Sequence, residues 1–163
     1  MDKLQLIKNK IINLNDLKNK KAYWKFREQK VVFTNGCFDI IHRGHIEYLL
    51  KAASYGDILI VGLNTDESIR KIKGDNRPIM DEESRAMTLA SLQFVNFVVL
   101  FKEETPLSLI NSIVPDVLIK GSDYKKEDII GYDIVKNAGG KIITIDFIEG
   151  YSTTSIINKI KNS

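Results

Sequence analysis

Five short runs rich in β-branched and aromatic residues, Val31–Thr34, Ile58–Leu63, Phe97–Leu100, Val117–Lys120 and Lys141–Asp146, recur along the chain with helical patterns between them. Each is short and largely apolar, as strands buried on both faces are. Parallel neighbours need a crossover, so the repeated order strand, helix, strand predicts an α/β fold: a parallel sheet with helices on both faces. Ile46, Leu49, Leu50 and Ala53 mark one helical face, with Gly56 placed to end that helix. Thr105 followed by Pro106 has the form of a cap and first turn for a helix through Ile113, and Asp81 is placed to cap another through Leu92. Asn13 and Asp16 resemble a capping box for an extra helix reaching about Glu28. Residues 1–30 thus read as an N-terminal helical extension and residues 31–163 as the main domain of a single globular unit, with Gly139-Gly140 a turn before the last strand.

A chain of 163 residues with 44% hydrophobic and 28% charged side chains fits one soluble domain. No segment approaches the roughly 18 apolar residues that a membrane span needs, and Met1–Gln5 is not the apolar core of a signal peptide, so a cytoplasmic protein without a membrane partner is expected. Cys37 is the only cysteine, which excludes an internal disulfide and a cysteine zinc cluster. A net charge of +3 does not argue for nucleic acid. The basic, aromatic stretch Lys18–Lys30 carries no recognition motif, and no nucleic-acid partner is expected of it. It reads as a solvated helix face.

Both histidines of the chain, His42 and His45, lie in the window that follows the first strand. In parallel sheets ligands sit beyond the carboxyl ends of the strands. Lys120–Tyr124 follows the fourth strand and Glu149–Thr154 the fifth, so three polar, glycine-bearing clusters meet at one rim. His42 and His45 fall on the first turn of a helix, where free N–H groups favour anions. Gly44 would let a ligand approach the backbone, and Gly36 would supply either positive φ or close approach. The plain alternative is a tight glycine connection with histidines satisfying local backbone groups. Ser152, Thr153 and Thr154 open the last helix; one hydroxyl there is an ordinary N-cap, but three exceed what capping requires. A triphosphate held between two helix starts would use both. There is no P-loop, no Gly-x-Gly-x-x-Gly at the first turn and no recognisable Ser/His/Asp or Cys/His signature.

Thr34–His45 resembles the first signature of the cytidylyltransferase-like nucleotidyltransferases, whose His-x-Gly-His element binds nucleotide phosphates, and Tyr151–Ile157 resembles their second. Val61–Asp66, Lys73–Ile79, Val98–Phe101 and Lys120–Tyr124 are similar to the subfamily that makes ADP-heptose. The resemblance implies a Rossmann-like sheet of order 3-2-1-4-5 and direct transfer of AMP from ATP to a sugar phosphate, D-glycero-β-D-manno-heptose 1-phosphate, with release of pyrophosphate. It implies His42, His45 and Lys73 as catalytic groups. It places Thr34, Asn35, Gly36, Cys37, Phe38, Gly44, Lys120, Gly121, Asp123, Tyr151, Ser152, Thr153 and Thr154 at the nucleotide, and Asp39, Asn64, Asp66 and Arg85 at the acceptor. Mg²⁺ would arrive with ATP and lean on Asp39 or Asp66 rather than on a preformed metal cage.

The glycerol-phosphate members of the family carry an arginine where this chain has Phe147-Ile148-Glu149, a departure that favours the heptose subfamily. A sugar kinase is expected as a separate polypeptide, and a homo-oligomer is compatible with the sequence. The alternatives are CMP or AMP transfer to another phosphorylated sugar or polyol, such as glycerol 3-phosphate, and a nucleotide-binding module without catalysis.

Overall fold

In the computed structural model, which describes residues 2–122, 125–148 and 150–162, the five runs pair as one parallel sheet. The strands are β1 (Val31–Gly36), β2 (Ile58–Asn64), β3 (Phe97–Phe101), β4 (Val117–Gly121) and β5 (Lys141–Ile145), in the order β3-β2-β1-β4-β5 expected above. Val32 faces Leu59 on one side and Val117 on the other, so β1 is central, and the chain leaves it for opposite flanks before and after β3.

Among the described residues eight α-helices surround the sheet: α1 (Lys3–Lys8), α2 (Leu14–Phe26), α3 (Arg43–Ala53), α4 (Asp66–Lys73), α5 (Glu82–Ser91), α6 (Leu107–Ile113), α7 (Tyr132–Asn137) and α8 (Thr153–Lys161). Alternate strand residues point to opposite faces, and the core divides accordingly. Val32, Leu59 and Val61 pack with Leu49 and Ala52 of α3 and Leu89 and Ala90 of α5. Phe33, Ile60 and Leu118 pack with Leu17 and Trp24 of α2, Leu109 and Ile110 of α6 and Val135 of α7. Each large apolar side chain so buried contributes about 1.5–3 kcal/mol.

The N-terminal residues belong to this packing. Ile12 N donates to Val98 O at 3.0 Å and Val98 N to Lys10 O at 2.9 Å, so residues 10–12 cover the otherwise open edge of β3. Lys10 Nζ fixes the loop after α5 by donating to the Leu92 and Val95 carbonyls at 3.1 and 2.8 Å. The solvated-face reading of Lys18–Lys30 needs correction at one residue: Trp24 is buried against Phe97, ring centroids 5.2 Å apart. Tyr23 and Phe26 are exposed. No helix among the described residues is long and apolar enough to cross a membrane.

Three of the expected caps form. The side chains of Asn13, Asp81 and Ser152 accept the Asp16, Ser84 and Ser155 amides at 2.9, 2.8 and 3.0 Å. Thr105 does not cap α6, because Pro106 holds the N-cap position and no side chain closes that end. On α3 the buried residues are Gly44, Tyr48, Leu49 and Ala52, whereas Leu50 is exposed: the apolar stripe lies one position over from the expected face. Gly56 does not end α3, whose C-cap is Ser54, and it does not adopt positive φ. Its hydrogen matters for a different reason. A Cβ at Gly56 would lie 2.7 Å from the Lys30 carbonyl oxygen and 2.7 Å from Val32 Cγ2, at the entry of β1. Gly56→Ala should therefore lower unfolding free energy by about 1–3 kcal/mol, the usual cost of overpacking, as measured by urea denaturation. Wild-type stability in the variant would show that β1 yields without cost.

Candidate active site

His42 occupies the N-cap of α3 with extended backbone and makes no side-chain cap bond, so the first-turn amides of α3 keep their donors for a ligand. Its ring stacks on His45, centroids 3.8 Å apart at 22°. Phe38 meets the far side of His45 edge-on at 5.3 Å, Tyr151 lies beyond His42 at 6.4 Å, and the Arg43 guanidinium covers Tyr151 at 5.7 Å. One column of rings thus ties the end of β1 to the start of α8. Burial pushes the His45 imidazole down from 6.5 to about 4, helped by the neighbouring His42 and Lys73, while the Ile40 backbone works the other way. Burial also lowers His42. Both rings are neutral at pH 7, and among the described residues their buried Nδ1 atoms have no hydrogen-bond partner. Nε2 is then the ring nitrogen each can offer to a phosphate oxygen.

Gly44 makes room for this column. A Cβ there would sit 3.1 Å from the His42 ring and 3.2 Å from Tyr151 Cβ, so the space left by the missing side chain is already filled by the two signatures meeting. Gly36 does not adopt positive φ; Phe38 does, at 44°, and a Cβ on Gly36 would lie 3.0 Å from the Phe38 ring. The glycine gives Phe38 room to reach His45.

Beside the column a cavity of about 510 Å³ opens on the carboxyl rim of the sheet. Asn35, Gly36, Cys37 and Phe38 form its base, His45 and Tyr48 one wall, and Asn64, Lys73, Lys120 and Gly121 its two flanks. Lys120 donates its Nζ to Asn35 Oδ1 across the gap between β4 and β1. Tyr48 and Glu104, which sequence reasoning did not place, also line the cavity, as does Phe147, stacked on Tyr48 at 5.9 Å. Tyr48 carried a signal, since it lies one helical turn beyond His45; nothing local marked Glu104. A second cavity, of about 520 Å³, lies at the opposite rim near Lys21, Lys25 and Lys141, away from the histidines.

Several expected ligand residues are committed elsewhere. The Thr34 hydroxyl is fully buried and bonded to Tyr48 Oη at 2.8 Å, so it contacts protein rather than nucleotide. Asp39 is buried and accepts from Ile79 N at 2.8 Å, Met80 N at 2.9 Å and Arg77 Nε at 2.8 Å, which clamps the loop before α5 onto the histidine loop. Although burial alone would raise it, those two amides and Arg77 hold the Asp39 carboxyl below 3.8. Arg85 has no exposure at all and donates to Met80 O, Cys37 O, Asn64 O and Asp66 Oδ1. Arg85 and Asp66 therefore bind each other instead of an acceptor. Asn64 borders the cavity, yet its amide NH₂ donates to Ser68 Oγ at 2.9 Å. Ser152 spends its hydroxyl on the α8 cap, leaving Thr153 and Thr154 on the first turn of that helix. Asp123 lies outside the described residues. Arg77, which no spacing rule marked, secures this loop: its partner Asp39 is 38 positions away.

The histidine pair has a pH signature. An unfolded imidazole titrates near 6.5 and folded His45 at about 4, so between those values the unfolded chain takes up a proton that the folded chain refuses. Stability should fall as pH drops from 6.5 toward 4. Asp39 acts lower: its stabilisation is complete above 3.8 and is lost as pH falls through its depressed folded value. Melting temperatures of wild type and His45→Gln between pH 7 and 4.5 should show the acid-side loss flattened in the variant. An unchanged slope would clear His45 of that loss.

Bifunctional protein HldE of Geobacter metallireducens is 50% identical to this chain over 151 residues, covering 93% of the chain and 31% of that protein. HldE of Helicobacter acinonychis is 50% identical over 167 residues, covering 100% of the chain and 35% of the relative. The chain spans about a third of the length of the curated relatives it matches. Among solved structures, the lipopolysaccharide core biosynthesis protein from Thermoplasma volcanium superposes with a TM-score of 0.61 at 27% identity, covering 76% of this chain and 99% of that one. Pantoate-beta-alanine ligase from Francisella tularensis shares the fold at a TM-score of 0.60 and 18% identity, over 94% of this chain and 78% of the other. The cytidylyltransferase-like family model matches residues 33–159. Both helix starts that bound the ring column fall inside that match, and the chain belongs to the cytidylyltransferase-like family.

Proposed function

We propose that the chain is an adenylyltransferase, moving AMP from ATP to D-glycero-β-D-manno-heptose 1-phosphate and releasing pyrophosphate. The observation that carries this is the stacked, neutral His42–His45 pair set between the amino ends of α3 and α8, two termini suited to phosphate oxygens. High identity to HldE proteins across nearly the whole chain supports the subfamily, as does likeness to a lipopolysaccharide core biosynthesis protein. Phe147, where the glycerol-phosphate enzymes carry arginine, adds an aromatic rather than a cationic wall to the cavity.

An oxygen of the sugar phosphate attacks the α-phosphorus, a new P–O bond forms, and the bond to the β-phosphate oxygen breaks with its electron pair leaving on pyrophosphate. The attacking phosphate is already anionic, so no general base is needed. The protein positions the reactants and donates hydrogen bonds where charge builds: Nε2–H of His42 and His45, the free amides at the start of α3, and the hydroxyls of Thr153 and Thr154. Lys73 and Lys120 flank the cavity as cations, Lys120 through its bond to Asn35. Magnesium, when bound, would neutralise charge on the leaving pyrophosphate. Since Asp39 and Asp66 are both bonded within the protein, that ion is assigned to the triphosphate oxygens, and neither carboxylate is given a role in holding it. A cytoplasmic location fits an enzyme that consumes ATP, and the acceptor itself requires a sugar kinase acting first.

Pyrophosphate release should be fastest with ATP among the four nucleoside triphosphates, and faster with the heptose 1-phosphate than with glycerol 3-phosphate. A preference for CTP with glycerol 3-phosphate would overturn the subfamily. In His42→Ala or His45→Ala, loss of a donor aimed at developing charge should lower kcat by roughly 10²–10³. ATP affinity should fall far less, by about the 1 kcal/mol of a ground-state hydrogen bond. Folded variants that lose affinity alone would reduce the histidines to ground-state ligands.

A further inference from the structure

The geometry points to Glu104, with Thr105 beside it, as the group that recognises the hydroxyls of the acceptor sugar, an assignment that rests on the adenylyl-transfer reading above. In-line displacement puts the attacking and leaving oxygens on opposite sides of the α-phosphorus. On the reading above, Thr153 and Thr154 at the start of α8 hold the leaving pyrophosphate; α8 follows β5, and β5 is on the β4 flank of β1. The acceptor must then come from the β2–β3 flank. The four residues that the resemblance placed at the acceptor are engaged within the fold: Asp39, Asp66 and Arg85 bond to protein partners, and Asn64 gives its amide to Ser68.

The other polar side chains lining the cavity on that flank are Lys73, at the end of α4, and Glu104 and Thr105, in the loop between β3 and α6. Among the described residues the Glu104 carboxylate makes no hydrogen bond. It feels Lys71, whose ammonium is already paired with Glu67 at 2.6 Å. Thr105 stands where a helix cap belongs and is not used as one. Lys73 attracts the acceptor phosphate, and a carboxylate repels it, so the sugar must lie with its phosphate at Lys73 and His45 and its hydroxyls toward Glu104. An ionised carboxylate only accepts hydrogen bonds, as hydroxyl recognition requires. Ile72 and Pro106 supply an apolar surface for the carbon face of the ring.

Glu104→Gln and Glu104→Ala test this, because the residue is exposed and its replacement leaves the core alone. Pyrophosphate release is measured with ATP against the heptose 1-phosphate and against methyl phosphate, which has no hydroxyls, with ATP affinity followed by calorimetry. The expected result is a KM for the heptose 1-phosphate raised roughly tenfold, equivalent to about 1.4 kcal/mol. The KM for methyl phosphate and the affinity for ATP should stay at wild-type values. An unchanged KM for the sugar, or an equal rise for methyl phosphate, overturns the assignment. If wild type releases no pyrophosphate with any acceptor, adenylyl transfer fails as the function, and calorimetric titration with the heptose 1-phosphate decides the subsite separately. Weaker binding to Glu104→Gln supports it, and equal binding to both proteins overturns it.

Discussion

A single guanidinium holds the rim of the sheet together. Arg85, with no exposed surface, donates to the Cys37 carbonyl after β1, the Asn64 carbonyl at the end of β2, the Met80 carbonyl ahead of α5 and the Asp66 carboxylate at the start of α4. Burying a charge costs several kcal/mol unless it is paired and its remaining donors are satisfied. Here one carboxylate offsets the charge and three carbonyls accept three more of its five N–H groups. Those acceptors lie on segments far apart in the chain, so the arginine fixes where β1, β2, α4 and α5 stand relative to one another. Asp39 repeats the device with opposite sign, gathering Arg77 and two backbone amides. The carboxylate and cation that looked like ligand groups are the frame on which the ligand groups stand.

That frame explains why the histidines can be stacked and uncharged. Burial disfavours the charged form of both rings, and a second imidazole 3.8 Å away adds to this at His45, so the pair is neutral before any ligand arrives. A neutral Nε2–H binds a ground-state phosphate only modestly, yet gains most where negative charge grows. Preorganisation therefore depends on the rings being unable to turn away, and Phe38, Tyr151 and the glycines that admit them provide this.

The strands and the two helix starts were legible in the sequence, because apolar runs and capping residues are local patterns, whereas the sheet order came from the resemblance that the signatures carry. The Asn13, Asp81 and Ser152 caps act within three residues and were equally visible. What stayed hidden shares one cause. The surroundings of Gly56, Thr34, Asp39, Asp66 and Arg85 are set by partners that the fold brings up from elsewhere in the chain: Lys30 and Val32 for Gly56, Tyr48 for Thr34, Arg77 for Asp39, and Arg85 with Asp66 for each other. Leu50 failed on a smaller scale. Periodicity alone defines a stripe to within about one position, and the sheet chose Tyr48, Leu49 and Ala52.

The sheet order also divides the chemistry. Because β1 is central, a loop leaving it touches both the β2–β3 side and the β4–β5 side. His45, one turn into α3, stands at that divide, with Lys73 on one flank and Lys120 on the other. A reaction joining a nucleotide to a second phosphorylated substrate needs two approaches to one phosphorus atom, and a parallel sheet offers them only where its strand order reverses. On the proposed adenylyl transfer, the place of the signature after the central β1 lets one helix start face both substrates.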